Sequence, residues 1–212
     1  MKTLYKSLTK NKTSADNDHK WLLNKWYEVE GKLEMCANGF HASQMIIDAM
    51  GYVSPSYIAK VEVRGKSIIQ NDKECWQRMR VIKFKKWTKK DSIALAIFAA
   101  ELVLPIFEKE YPDDDRPRKA IEAAKKVLQN DTKKNRAAAK AAAKAAYAAN
   151  AVAYAANAAN AANAAYAAYA VAYAVAYAVA NAAYAANAAY ASTKEKIEGW
   201  IKNRIGFEEE KK

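Results

Sequence analysis

The order of apolar and polar positions divides the chain into a strand-rich beginning and a helical remainder. YIAKVEVRG (57–65) alternates apolar with charged residues and predicts a half-buried strand that ends at Gly65. RMRVIKFKKW (78–87) predicts a second strand, and MKTLYKSL predicts a third. Between them, SQMIIDAMGY has the apolar spacing of a short helix, with Ser43 as its N-cap and Gly51 as its end.

A helical pattern follows from residue 88 onward. Apolar residues at helical spacing predict a buried helix that is kinked at Pro105 and stops before Pro112. Asp115 is the expected N-cap of the next helix, with Pro117 in its first turn. The tail STKEKIEGWIKNRIGF predicts an amphipathic helix, whose apolar face comprises Ile197, Trp200, Ile201 and Ile205.

Residues 137–191 form a tract in which 35 of 55 residues are alanine. Alanine favours helix and is depleted from strands, so the tract predicts helix despite the alternation in VAYAVAYAVA. Its Tyr and Asn residues recur in 13 steps over 43 residues, about 3.3 per step. A straight helix needs about 3.6, so the stripe drifts around the axis. We therefore expect several packed helices, with breaks near 157–163 and 181–187.

Two roles stay open for these Tyr and Asn side chains. They either satisfy one another within a core, or they line a groove suited to a base or a peptide. The groove candidates are Tyr147, Asn150, Tyr154, Asn157, Tyr166, Tyr169, Tyr173 and Tyr177. The fold class expected for the whole chain is α+β, predominantly α. A small basic α+β domain (1–87) precedes an alanine-rich helical bundle (88–212).

Charge is concentrated in residues 1–90, which hold 18 Lys and Arg against 9 Asp and Glu. This excess favours an anionic partner, although it also suits a lysine-rich soluble surface. Basic residues alternate with Phe84 and Trp87 in the second strand, as in single-stranded nucleic-acid binders or in a solvated strand face. The anion-binding candidates of this strand are Arg78, Arg80, Lys83, Lys85 and Lys86.

DDDRPR adds two further anion-binding candidates, Arg116 and Arg118, at the start of a helix. A helix N-terminus attracts anions, but these arginines could equally pair with the neighbouring carboxylates.

CANGFHAS places Cys36 five residues before His41. A zinc site would need two more ligands, for which only Cys75 and His19 remain, and a nucleophile pair would need an orienting third group. We therefore predict no metal, no cofactor and no catalytic residue, and interpret Cys36, His41 and Ser43 as a turn motif in which His41 makes a hydrogen bond.

The sequence also carries expectations about location. Two cysteines do not make a disulfide framework, and residues 1–20 lack an apolar leader segment. The uncharged stretch 145–193 is interrupted by Asn, so we expect no membrane span. Together these features predict a cytoplasmic protein.

Two segments resemble known families. DDDRPRKAIEAA and the alanine-dense sequence after it, over roughly 90–205, resemble a family of bacterial and phage immunity proteins. That match falls on Asp114, Asp115, Arg116, Pro117, Arg118, Ala120, Ile121, Ala123 and Ala124. LEMCANGFHAS is similar to an uncharacterised phage and bacterial domain, through Cys36, Gly39, Phe40, His41, Ala42 and Ser43. The first resemblance implies a role in countering a toxin or hostile effector.

The sequence therefore predicts a non-catalytic phage or mobile-element protein that binds and neutralises a host defence effector or its ligand. Its expected partner is a host protein or a nucleotide-like ligand, and self-association stays open. One alternative is a nucleic-acid-binding protein that uses the basic N-terminal domain. Another is an ADP-ribosyltransferase-like enzyme. The order of elements resembles such domains, with LYKSL followed by GFHAS, a helix and a VEV strand. For that enzyme only Glu62 or Glu74 offers a catalytic carboxylate.

Overall fold

A computed structural model describes residues 1–14, 19–148 and 187–207. The chain divides into two compact units, Met1–Trp87 together with Ile201–Lys212, and Thr88–Trp200. We call them the sheet unit and the helical unit. Strands lie in the first and long helices in the second, so the chain is α+β.

The described strands of the sheet unit form one antiparallel sheet. In chain order they are β1 (Lys2–Leu8), β2 (Trp26–Glu28), β3 (Phe40–Ala42), β4 (Tyr57–Ile69) and β5 (Glu74–Lys86). The spatial order is β1-β4-β5-β2, and β3 pairs with the beginning of β5. Tyr5 and Ser43 exchange two backbone hydrogen bonds of 2.8 Å, which joins the outer edge of β1 to the end of β3. The sheet thereby closes on itself, and β1 has backbone partners on both edges.

One face of this sheet is the core that the alternation predicts. Its buried residues come from β1, β3, β4 and β5 and from the loop before β2, and include Leu4, Leu8, Ala42, Val61, Met79, Val81 and Trp21.

The predicted end of the strand at 57–65 is wrong, because β4 continues past Gly65 to Ile69. Gly65 has a φ of +88° and lies where the register shifts between Arg64 and Ser67. It therefore forms a bulge, and pairing resumes at Ser67 opposite Trp76. β5 likewise begins at Glu74, four residues before the predicted position 78.

A short helix, α1 (Ile46–Met50), ends before Gly51 as predicted, but Ser43 is not its cap. The residue at the N-cap position is Met45, whose side chain makes no capping hydrogen bond. The backbone of Ser43 is committed to Tyr5 in the sheet, a long-range pairing that local spacing does not reveal.

The helical unit contains α2 (Lys89–Glu110), α3 (Arg116–Gln129) and α4 (Lys133–Ala148). α2 begins with a capping box, in which Thr88 and Asp91 each bind the other's backbone N–H, and it runs through Pro105 to end before Pro112. Asp115 occupies the N-cap position of α3 as predicted, but its carboxylate binds Lys119 at 2.8 Å instead of capping the helix.

Aliphatic and alanine side chains form the buried faces of these helices, among them Ala120, Ile121, Ala124, Val127, Ala139 and Ala143. The last helix, α5 (Asn187–Ile205), buries Ile197, Ile201 and Ile205 as predicted, while Trp200 is half-buried and stacks on Phe98 with centroids 5.5 Å apart. The predicted breaks within the alanine-rich tract lie outside the described residues. No described helix combines the length and the apolar character that a membrane crossing demands.

Candidate functional site

A cleft of about 520 Å³ lies in the sheet unit. Its described walls are the end of β1, the loops around β2, the segment from Cys36 to Ser43, and the end of α1. All three residues of the predicted turn motif line it, namely Cys36, His41 and Ser43. The cleft is therefore the place where this motif could meet a ligand.

A tight turn over residues 34–38 builds one wall. Glu34 and Asn38 exchange backbone hydrogen bonds of 2.8 and 2.9 Å, and Cys36 at the tip has a φ of +65°. The Asn38 side chain donates to the carbonyls of Glu30 and Lys32, which ties the turn to the preceding loop. The turn is thus held from inside and outside, so Cys36 has a defined position at the cleft mouth.

Gly39 explains why the motif contains a glycine. Its φ is +143°, and a Cβ atom at this position would lie 2.2 Å from Cys75 Sγ and 3.1 Å from Leu33 Cδ2. Only glycine allows the backbone to pass this close to the buried thiol. Burial raises the pKa of Cys75, and the nearby Cys36 raises it further, so the Cys75 thiol stays protonated and serves packing.

His41 makes the hydrogen bond that the turn motif predicts. It lies in β3, opposite Cys75, and its Nε2 accepts the backbone N–H of Cys36 at 3.0 Å. The imidazole is therefore neutral in this contact and carries its proton on Nδ1. Burial lowers the pKa of His41, and the charges of Lys6 and Lys73 lower it further.

Lys73 contributes a half-buried positive charge to the cleft. Its ammonium group donates to Cys36 Sγ at 3.1 Å and lies 4.9 Å from the centre of the Tyr52 ring. The Tyr52 hydroxyl in turn donates to Asp72, and burial followed by this hydrogen bond raises the pKa of Tyr52. The ring and the thiol thus position the ammonium without neutralising it.

Lys6 enters the cleft from β1. Its ammonium donates to the carbonyl of His41 at 2.8 Å and lies 5.7 Å from the centre of the Trp21 ring. In the same wall the Ser7 hydroxyl is buried and has no hydrogen-bond partner among the described residues. A buried hydroxyl without a partner is unusual in a folded protein.

Four rings also line the cleft, namely His19, Trp21, Tyr27 and Phe40. His19 contacts Trp21 and Tyr27 edge to face, with centroids 4.6 and 4.4 Å apart, and Phe40 packs 5.2 Å from Trp21. Trp21 is buried below, while His19, Tyr27 and Phe40 are half-exposed. Burial lowers the pKa of His19, and Lys6 and Lys25 lower it further, so this imidazole is also neutral at pH 7.

Neither carboxylate considered for the ADP-ribosyltransferase alternative is among the described residues that line the cleft. Glu74 is buried and accepts hydrogen bonds from Lys2, Gln44 and Trp76, while Glu62 pairs with Arg80 at 2.5 Å. Burial would raise the pKa of Glu74, but these hydrogen bonds outweigh it and hold the pKa below its usual value.

Glu28 supplies the one carboxylate among the described lining residues, and it binds Arg78 at 2.7 Å. The described cleft therefore presents cations, aromatic rings, two imidazoles, a thiol and one ion-paired carboxylate.

The two arginines of DDDRPR are engaged within the protein. Arg116 binds both oxygens of Asp114 at 2.7 and 2.6 Å, and Arg118 binds both oxygens of Glu108 at the same distances. On β5, Arg78 and Arg80 pair with Glu28 and Glu62. The remaining strand candidates, Lys83, Lys85 and Lys86, make no ion pair with a described residue.

The other predicted positions divide between described and undescribed residues. Tyr147 belongs to α4, and the remaining groove candidates lie outside the described residues. Across the part of the chain that the structure describes, no cluster of three or more His, Cys, Asp or Glu side chains is arranged to hold a metal ion.

Sequence reasoning missed several residues that shape the cleft, above all Lys6, Lys73 and Tyr52. They come from distant parts of the chain and carry no motif. The available signals were the presence of Lys6 within LYKSL and the excess of positive charge in residues 1–90.

Two family models match the sequence. Residues 2–91 match a domain of unknown function, DUF7666, and residues 84–206 match the family described as "Imm-5 like putative immunity protein". Comparisons with curated proteins and with solved structures found no match. The two resemblances based on CANGFHAS and DDDRPR are thereby confirmed. Because the second match covers more than half of the chain, this protein belongs to the Imm-5 like putative immunity protein family.

Proposed function

We propose that this chain is a non-catalytic immunity-type protein that neutralises a host defence effector, or a ligand on which that effector depends, by binding it. The observation that carries the proposal is membership of the immunity family over residues 84–206. A protein of phage or mobile-element origin that acts in the cytoplasm fits this role.

The chemistry of the cleft supports binding rather than turnover. General acid–base catalysis needs a titratable group that is free to exchange a proton with the substrate. In the described lining, Glu28 is held by Arg78, and Nε2 of His41 accepts the backbone N–H of Cys36. Glu62 and Glu74 point to other partners, which leaves the ADP-ribosyltransferase alternative without either of its candidates.

The same proposal includes the prediction that the second half of the chain is a multi-helix bundle. α2, α3, α4 and α5 supply buried aliphatic and alanine faces, on which the alanine-rich tract could pack as further helices. We infer a predominantly α chain with a multi-helix bundle in its second half. Far-ultraviolet circular dichroism tests this directly, because a helical tract would raise the total helix content well above that of the described helices.

A stoichiometric titration tests the proposed function. The full chain is used to capture its effector from lysate of a challenged host, and the purified effector is then assayed with increasing amounts of the chain. Neutralisation by binding predicts an end point at a fixed molar ratio that does not move with incubation time. Time-dependent loss of effector activity at a small fraction of that ratio would contradict the proposal and indicate an enzyme.

One observation favours the nucleic-acid alternative, namely that Lys83, Lys85 and Lys86 make no ion pair with a described residue. Phosphate contacts by these lysines would make binding of single-stranded DNA or RNA weaken steeply with salt. A gel shift at two salt concentrations tests this alternative, and binding that ignores salt removes it.

A further inference from the structure

The charge of Lys73 is available to a ligand. The ammonium contacts a thiol and an aromatic ring, and it makes no ion pair with a described residue. Half-burial removes part of its water, which makes interaction with an anion stronger than it would be at the open surface. The contacts to Cys36 and Tyr52 also restrict the long side chain, so little conformational entropy remains to be lost on binding.

The surroundings of Lys73 extend this positive region. Lys6 bonds to the carbonyl of His41, whose imidazole feels the charges of both lysines. His41 also lines the cleft, and its Nδ1–H makes no hydrogen bond to any described residue. The ammonium of Lys73 and a neutral N–H suit the acceptor oxygens of a phosphate group.

The aromatic part of the cleft lining suits a flat ring. His19, Tyr27 and Phe40 are half-exposed and rest on the buried Trp21, so their rings are held in place. Aromatic side chains of this kind stack against nucleobases without distinguishing strongly among them. At about 520 Å³ the cleft is larger than a phosphate ion needs and lies within the usual range for small-molecule sites.

We propose that this cleft binds a mononucleotide, with its phosphate at Lys73 and His41 and its base against the rings of Tyr27 and Phe40. The inference rests on the proposed function, because it takes binding to be the task of the cleft. It adds the chemical class of the ligand and the side of the cleft that each part occupies.

Isothermal titration calorimetry on the full chain tests the inference. The probes are the four ribonucleoside monophosphates in turn, the corresponding nucleosides, and inorganic phosphate. We expect at least one monophosphate to bind, with its nucleoside and phosphate each weaker by tenfold or more. Lys73→Met should weaken nucleotide binding by about tenfold or more through loss of a charge-assisted contact, and Lys73→Arg should restore much of it. Lys66→Met, which removes an exposed lysine outside the cleft, should bind as the parent does.

Several results would overturn the inference. They are absence of binding by every monophosphate, phosphate binding as tightly as the nucleotide, nucleoside binding as tightly as the nucleotide, and a Lys73→Met variant with unchanged affinity. Near-ultraviolet circular dichroism of Lys73→Met establishes that the variant is folded. The effector titration separates the two proposals: neutralisation without nucleotide binding contradicts this inference alone, and nucleotide binding without neutralisation contradicts the proposed function alone.

Discussion

Positive charge is arranged differently at the start of α3 and in the cleft of the sheet unit. Arg116 and Arg118 each bind a carboxylate through two hydrogen bonds, so their charge is consumed within the helical unit. Lys73 instead contacts a thiol and a ring. DDDRPR has the denser cluster of charged residues in the sequence, but its arginines are already paired with carboxylates. They therefore offer less charge to a ligand than Lys73 does. Binding potential depends on what each cation touches.

The two units also differ in how strongly their stability depends on individual residues. The described helical unit rests on repeated aliphatic and alanine faces, where one position resembles the next. The sheet unit depends on individual positions, such as Gly39 behind Cys75 and the buried carboxylate of Glu74. Single substitutions should consequently be more damaging in the sheet unit.

The largest effect is expected for Gly39→Ala, which combines backbone strain at a φ of +143° with a clash against Cys75 Sγ. Together these should lower the free energy of unfolding by about 4 kcal/mol. Urea denaturation followed by tryptophan fluorescence reports mainly on this unit, because Trp200 alone among the five tryptophans lies outside it.

Gly199→Ala is the matched control, since a Cβ atom there meets nothing within 4 Å and the residue lies inside α5. This change should stabilise the protein slightly, by about 0.5–1 kcal/mol. Equal urea midpoints for Gly39→Ala and Gly199→Ala would contradict the expectation that single substitutions are more damaging in the sheet unit.

A somewhat smaller effect is expected for Glu74→Ala. The change leaves Lys2, Gln44 and Trp76 without their buried acceptor and should cost about 2–3 kcal/mol. Glu108→Ala breaks an exposed pair with Arg118 and serves as the control, with little expected change. A Glu74→Ala variant as stable as Glu108→Ala would show that the buried network contributes nothing.

Glu74 also predicts a direction of pH dependence. The pKa of the Glu74 carboxyl is lower in the folded protein than its ordinary value. The ionised carboxylate therefore stabilises the fold fully above the ordinary glutamate pKa, and this stabilisation is lost as the pH falls through the lower folded value. The stability difference between the parent and Glu74→Ala should therefore narrow in acid.

The smallest effect is expected for the double variant Arg116→Ala and Arg118→Ala. Both guanidinium groups are exposed and pair with neighbouring carboxylates, so the urea midpoint and nucleotide affinity should stay as in the parent. If this variant is folded but binds the nucleotide more weakly, charge at the start of α3 contributes to nucleotide binding in addition to charge in the cleft.

Local sequence patterns correctly predicted those strands and helices that depend mainly on neighbouring residues. The local sequence predicted strands at β1, β4 and β5, though not their pairing, and helical spacing with Pro112 predicted where α2 ends. Local patterns failed where distant pairing decides, as at Ser43, which joins β1 instead of capping α1. The three-residue strands β2 and β3 are too short to show alternation.

The candidate site was only partly predictable for the same reason. CANGFHAS identified the turn and the role of His41, since the hydrogen bond between Cys36 and His41 spans five residues. Lys73 reaches Cys36 from 37 residues away along the chain, and Lys6 reaches His41 from 35. Such contacts depend on strand register, which apolar spacing alone does not specify.

The most direct test of the central claim is the pKa of His41, measured by NMR in a chain that contains only two histidines. Burial, then the charge of Lys6 and then that of Lys73 hold this pKa below its usual value. If the Lys73 charge is available to a ligand, the pKa of His41 rises in Lys73→Met and also rises in the parent when a mononucleotide binds. The Arg118→Met variant should leave it unchanged. A His41 pKa at or above the usual value that is the same in Lys73→Met would contradict the account.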